Sequence, residues 1–199
     1  MRLDFTPMRA MLRTPLIFLD LETTGMSAAE ERITEIGLVE VVEGEFVGSW
    51  SQLVNPQKRI PPFIQSLTGI TDEMVEDAPT FAQLAPDLFA RLQDKILVAH
   101  NARFDYGFLK AEFARLDLSY LPRVLCTVKL SRKLFPEHRS HSLDSLIDRH
   151  RLTCNARHRA LGDAEVLWDF MRKIYAQLDA ELIEAAMRLQ IGLPKLASV

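Results

Sequence analysis

Residues 16–25 read LIFLDLETTG. Leu16 to Leu21 is a short, almost wholly apolar run, the pattern of a buried strand. Glu22 to Gly25 leaves it as a turn. Asp20 is out of place there: an acid inside an apolar strand, two residues before Glu22. A period of two puts both carboxylates on one face, with Cα atoms roughly 6–7 Å apart. Paired anions in such a setting repel each other and are costly to desolvate, so a positive partner is expected. A lone Asp-x-Glu is most often solvent-facing or salt-bridged. Here Leu16, Phe18 and Leu19 before the acids, and Leu21 between them, favour a site.

Working outward, Ile33 to Val42 reads as a second strand and Phe46 to Val54 as a third. The Glu43-Gly44 turn between them predicts a hairpin. Asn55-Pro56 and Pro61-Pro62 mark a loop, with short helical turns expected over 63–77. Thr80 to Leu92 carries apolar residues at a helical period with Thr80 as N-cap. Ile96 to Ala99 and Val124 to Thr127 read as short strands. Between them 101–116 reads as a helix with Phe104, Phe108, Ala111 and Arg115 along one side. Further helical patterns cover 128–135, 142–149, 160–178 and 180–191, the last ending before Pro194. A three-strand meander followed by alternating helices and strands predicts an α/β fold, a mixed five-stranded sheet flanked by helices.

Two more acids stand out. Asp105 falls near the start of a helix, behind a strand that ends in His100-Asn101. The helix dipole alone would favour an anion there, yet strand ends that lead into helices are where α/β folds place their sites. His158 and Asp163 lie in HRALGDAEVLWDF. Five helical positions turn through about 500°, leaving the two side chains about 140° apart. His158 is therefore expected just before the helix, free to swing toward Asp163. Four carboxylates are hard oxygen ligands that suit Mg²⁺ or Mn²⁺ better than zinc. Two such ions about 3.5–4 Å apart would clamp a phosphate for in-line displacement. The histidine can take a proton from an attacking water near neutral pH.

The chain has 199 residues and a net charge of −3, so it is not basic throughout. Charge is uneven, however. Lys129 to Arg159 holds eight Lys/Arg against three acids, with four of the five histidines. A solvated helical face explains such a run most simply; a phosphate-tracking surface is the functional alternative. Cys126 and Cys154 have no metal-ligand spacing and are expected to be reduced thiols. No apolar run reaches the roughly 20 residues that span a bilayer. Residues 1–15 are too broken by charge and proline for a signal peptide, so a loose arm and a cytoplasmic protein without membrane contact are expected.

Taken together, FLDLETTG (18–25), RITEIGLV (32–39), LTGIT (67–71), VAHNARFD (98–105) and HRALGDA (158–164) resemble the DEDDh branch of the 3′–5′ exonuclease superfamily. The likeness is strongest to the proofreading epsilon subunit of bacterial DNA polymerase III and its relatives. His-x4-Asp matches the histidine branch, and no tyrosine lies in that segment. The resemblance covers about 16–178 and implies a ribonuclease-H-like fold. It implies that Asp20 bridges two metal ions, and that Glu22 and Asp163 hold the ion carrying the attacking water. Asp105 supports the other ion, partly through water, and His158 is the general base. Thr23 would meet the strand terminus, Leu67 would pack on the last base, and Asn101 and Phe104 would shape the pocket.

The expectation is an exonuclease domain over 16–178 that releases 5′-mononucleotides from the 3′ end of single-stranded DNA, in proofreading or repair. An RNA-trimming exoribonuclease uses the same five residues and is the alternative. A non-catalytic end-binding or polymerase-adaptor subunit is the alternative of another class. Residues 179–199 are expected to form a helix and tail that cover the domain's own core or dock a polymerase.

Overall fold

A computed structural model describes residues 14–192. Among these, one mixed sheet has the spatial order β3-β2-β1-β4-β5. Its strands are β1 (Leu16–Thr23), β2 (Ile33–Val42), β3 (Glu45–Leu53), β4 (Ile96–Ala99) and β5 (Arg123–Cys126). β1, β2 and β3 form the antiparallel meander, and β4 and β5 run parallel to β1. The β2–β3 hairpin turns through Glu43 and Gly44, both at positive φ, the backbone that matches the twist of a two-residue hairpin loop.

The helices are α1 (Pro62–Thr68), α2 (Asp72–Val75), α3 (Phe81–Leu92), α4 (Arg103–Ala114), α5 (Thr127–Leu134), α6 (Leu143–His150), α7 (Ala160–Gln177) and α8 (Ala180–Ile191). Thr80 caps α3 in a reciprocal box with Gln83, as the sequence predicts for its N-terminus. The arm expected over 1–15 and the tail after 192 fall, apart from residues 14 and 15, outside the described residues.

Two cores flank the sheet. On one face Leu16 and Phe18 of β1 pack with α5, α6, α7 and α8. On the other, Ile17, Leu19 and Leu21 pack with α3 and α4. The strand alternation therefore decides which helix meets which residue. α8 belongs to the first core through Ile183, Ala186, Met187 and Ile191. Among the described residues, no helix is long and apolar enough to cross a membrane.

Two local expectations are corrected. β5 begins and ends one residue earlier than 124–127, because Thr127 opens α5 and its hydroxyl donates to Ala99 O. α4 is shorter than 101–116, and its buried face is Asp105, Phe108, Leu109, Glu112 and Phe113, which shares only Phe108 with the expected row 104, 108, 111 and 115. The apolar count misplaced that face because two acids are buried in it. Glu112 is held by the Arg32 guanidinium through bonds of 2.7 and 3.0 Å, and Asp105 is turned toward the sheet end.

Candidate active site

The acids of β1 face α7 because they continue the row begun by Leu16 and Phe18. Across the β1–β2 ladder, Asp20 lies opposite Gly37 and Glu22 opposite Glu35. Gly37 is what lets α7 come down on this row: a Cβ there would overlap the backbone of Ala160 and Leu161. Glu35 then fixes the helix start. Its carboxylate accepts from Ala160 N at 2.9 Å and from the Arg159 guanidinium at 2.6 and 3.1 Å. One turn into α7, Asp163 is delivered to the β1 acids. Ligand oxygens of Asp20, Glu22 and Asp163 all lie within 4.8 Å of one another.

Asp105 arrives from the other side. Pairing of β1 with β4 stops at Phe18 and Val98, so β1 outruns its parallel neighbour. Beyond that point the Leu21 amide donates to the Asp105 carboxylate. Asp105 is buried and its charge acts on Asp20.

Burial sets the electrostatics. It holds the Asp20 carboxyl well above the usual carboxylate range, with the charges of Asp105, Asp163 and Glu22 adding to the effect. Glu22 is pushed up to about 7 by burial and then by Asp163 and Glu35. Asp105 is pushed up to about 7 by burial, against the backbone amides it accepts from. Asp163 is raised by burial, against the opposing charge of Arg157.

The loop before α7 brings the remaining groups. His158 adopts a left-handed backbone, φ 57°, immediately outside the helix, as its spacing from Asp163 requires. Its amide donates to Asp163 Oδ2 at 3.3 Å. Arg157 Nη1 bonds the same oxygen, and its Nε donates to Asp144 Oδ1 at 2.7 Å. Asp163 Oδ1 is buried and has no hydrogen-bond partner. An orphaned buried oxygen on Asp163, in a group with two further carboxylates of raised pKa, is the environment a hard divalent cation relieves. The donor set fits a hard divalent cation, which Asp20, Glu22 and Asp163 could hold; Asp105 lies outside that close group.

At the start of α4 a cavity of about 270 Å³ is lined by Met26, Asn101, Arg103, Phe104 and Phe108 among others, and none of the four acids lines it. Asn101 sits at φ 57° between β4 and α4, which frees it from the helix expected to include it. Phe104 packs against Phe108 with ring centroids 4.9 Å apart and planes tilted by 49°. Thr23 ends β1, its hydroxyl donating to Gly25 O at 2.7 Å. Leu67 lies on α1, 45% exposed, and does not line that cavity.

The exonuclease family (RNase_T) matches residues 17–171. The chain belongs to that family. The exonuclease chain is 37% identical over 171 residues to DNA polymerase III PolC-type of Oceanobacillus iheyensis, covering 83% of this chain and 12% of that one. It is 37% identical over 146 residues to the 3′-5′ exonuclease DinG of Staphylococcus saprophyticus, covering 73% of this chain and 16% of that one. It thus spans under a fifth of the length of these two relatives. Among solved structures, exonuclease X in complex with 5′ overhanging duplex DNA aligns with a TM-score of 0.68 at 28% identity, over 86% of this chain and 99% of that one. The α/β sheet is accordingly of the ribonuclease-H-like kind.

Sequence reasoning missed three polar residues around the acid group. Arg157 was seen only as part of a basic run, Glu35 only as part of RITEIGLV. His100, 2.9 Å from Thr127 Oγ1, is lowered to about 4 by burial and then by Arg157. It is therefore a neutral brace at the end of β4. The signal that could have found Glu35 was its place in an otherwise apolar strand, the same anomaly that marked Asp20.

Proposed function

We propose that this domain is a 3′–5′ exonuclease that hydrolyses the terminal phosphodiester of single-stranded DNA and releases 5′-mononucleotides. The observation that carries the reading is the convergence of Asp20, Glu22 and Asp163, each with a carboxylate oxygen within 4.8 Å of the others, one of the three acids also holding a buried, unpartnered oxygen. Asp20, Glu22, Asp105 and Asp163 would hold two Mg²⁺ or Mn²⁺ ions. Bound there, the ions neutralise the carboxylates, polarise the phosphate and acidify a water.

The chain's own residues do the rest. His158 accepts the proton of the attacking water, and its position beside Asp163 supports that role. Glu22 receives the terminal 3′-OH. Asn101 and Phe104 shape a pocket for the last base, and Thr23 and Leu67 hold the strand end. Exposed Lys129, Arg132, Lys133 and Arg139 give a phosphate-tracking surface whose affinity would fall with salt. The likeness to DNA polymerase III PolC-type supports a role in proofreading or repair, with a polymerase as a candidate partner; a cytoplasmic setting is part of the same proposal.

The test is incubation with 5′-labelled and 3′-labelled single-stranded DNA and RNA, with and without Mn²⁺ or Mg²⁺, beside Asp20→Ala. Stepwise loss from the 3′ end that needs metal and Asp20 is expected, faster on DNA. Faster loss of RNA would make it an exoribonuclease. Strand binding with no turnover under any condition would make it an adaptor.

A further inference from the structure

The guanidinium of Arg157 is forked between two unequal carboxylates. One end bonds Asp163 Oδ2, whose side chain is 5% exposed; the other donates at 2.7 Å to Asp144, whose side chain is 69% exposed on the first turn of α6. Arg157 opposes the charge of the acids around it, with Arg159 acting beside it on Glu22. Its charge acts on Asp20 and Glu22 as well as on Asp163. Its next neighbour, His158, donates its amide to the very oxygen that Arg157 bonds.

A guanidinium on one oxygen of a carboxylate and a divalent ion on the other repel each other, so each weakens the hold of the carboxylate on the other. Asp144 offers Arg157 a second, outer partner without requiring the loop to leave. We propose that Arg157 is a positioning residue that competes with the divalent cation for Asp163 and is drawn outward onto Asp144 when the cation binds. The competition sets how much metal the site needs. It also couples metal entry to the loop that carries His158, since the oxygen that loses Arg157 is the one that holds the His158 amide. The proposal rests on the metal-site reading given above.

The experiment is a Mn²⁺ titration of the whole chain, with free Mn²⁺ read by electron paramagnetic resonance at low ionic strength and pH 8. Wild type, Arg157→Gln, Asp144→Asn and Asp163→Asn are compared, each checked by circular dichroism. Arg157→Gln is expected to bind Mn²⁺ roughly threefold to tenfold more tightly than wild type. A merely structural arginine would not give tighter binding when removed. Asp144→Asn, which leaves the acid cluster untouched, is expected to bind about twofold to fivefold more weakly, because Arg157 then has only Asp163. It keeps the test informative should Arg157→Gln fail to fold. Affinity unchanged in both variants, or weakened in a folded Arg157→Gln, overturns the proposal while leaving the metal site standing. Wild type that binds no Mn²⁺, like Asp163→Asn, overturns both.

Discussion

Asp163 has two oxygens in different surroundings. Oδ2 is shared by Arg157 and the His158 amide; Oδ1 is buried with no partner. An unpaired buried acceptor costs about 1–3 kcal/mol, so the fold keeps it against stability, as sites do. The hydrogen bond that ties His158 to this arrangement comes from its backbone amide, and among the described residues its ring makes none. If it is the base, His158→Ala should lower kcat by roughly 10²- to 10⁴-fold while Mn²⁺ affinity stays within about threefold, since the four carboxylates remain. Single-turnover cleavage and Mn²⁺ titration on the same preparation check this. An unchanged kcat would remove the histidine from the chemistry. Asp20, Glu22 and Asp163 were legible in the sequence because acids at strand and helix periods interrupt apolar patterns. Arg157 was not, since a cation in a basic run is indistinguishable from a solvated one until its partners are known. Three of that run's eight Lys/Arg turn to partners within the chain: Arg157 to Asp144 and Asp163, Arg159 to Glu35, Arg149 to Ser140 O.

At the scale of elements, the site depends on how closely α7 approaches β2. Gly37 allows the approach, Glu35 anchors it, and Gly162 lets the Arg157–His158 loop fold back, since a Cβ there would overlap Ala156 O. Gly37→Ala should therefore destabilise by about 3 kcal/mol and also weaken Mn²⁺ binding, because α7 and Asp163 must move off β1. Gly48→Ala, on the edge strand β3 with nothing within 4 Å of the added methyl, is the control. Urea denaturation of both variants decides it: equal midpoints would mean that the helix does not sit on Gly37. Strand and helix spans were readable to within a residue or two, because the strands are apolar runs and the helices carry a regular period. The buried face of α4 was not, for a physical reason. It buries Glu112 against Arg32 and Asp105 against the Leu21 amide, and a count of apolar side chains assigns such acids to solvent.

For the whole molecule, the acid cluster makes stability and metal binding depend on pH in opposite directions. Burial raises Glu22 and Asp105 to about 7 in the folded chain from ordinary values of 4.5 and 3.8. Between the ordinary and the raised values the folded state binds more protons than the unfolded one, so this contribution to stability is present at low pH and is lost as pH rises through about 7. His100 and His150 act the other way, because burial lowers both, but their contribution is spent below about pH 6.5, where unfolded histidine takes up its proton. The window from pH 6.5 to 8 therefore isolates the carboxylates. In EDTA the melting temperature should fall across that window. In Glu22→Gln, which has no such proton to lose, the fall should be smaller. A divalent ion must displace the same protons, so Mn²⁺ affinity should climb from pH 6.5 to 8 and level off above it. Calorimetric melting and Mn²⁺ titration at four pH values across the window give both curves. A metal affinity flat in pH would mean that the carboxylates are already ionised at pH 6.5, and that the surrounding cations, Arg157 foremost, compensate their burial more fully than the geometry implies.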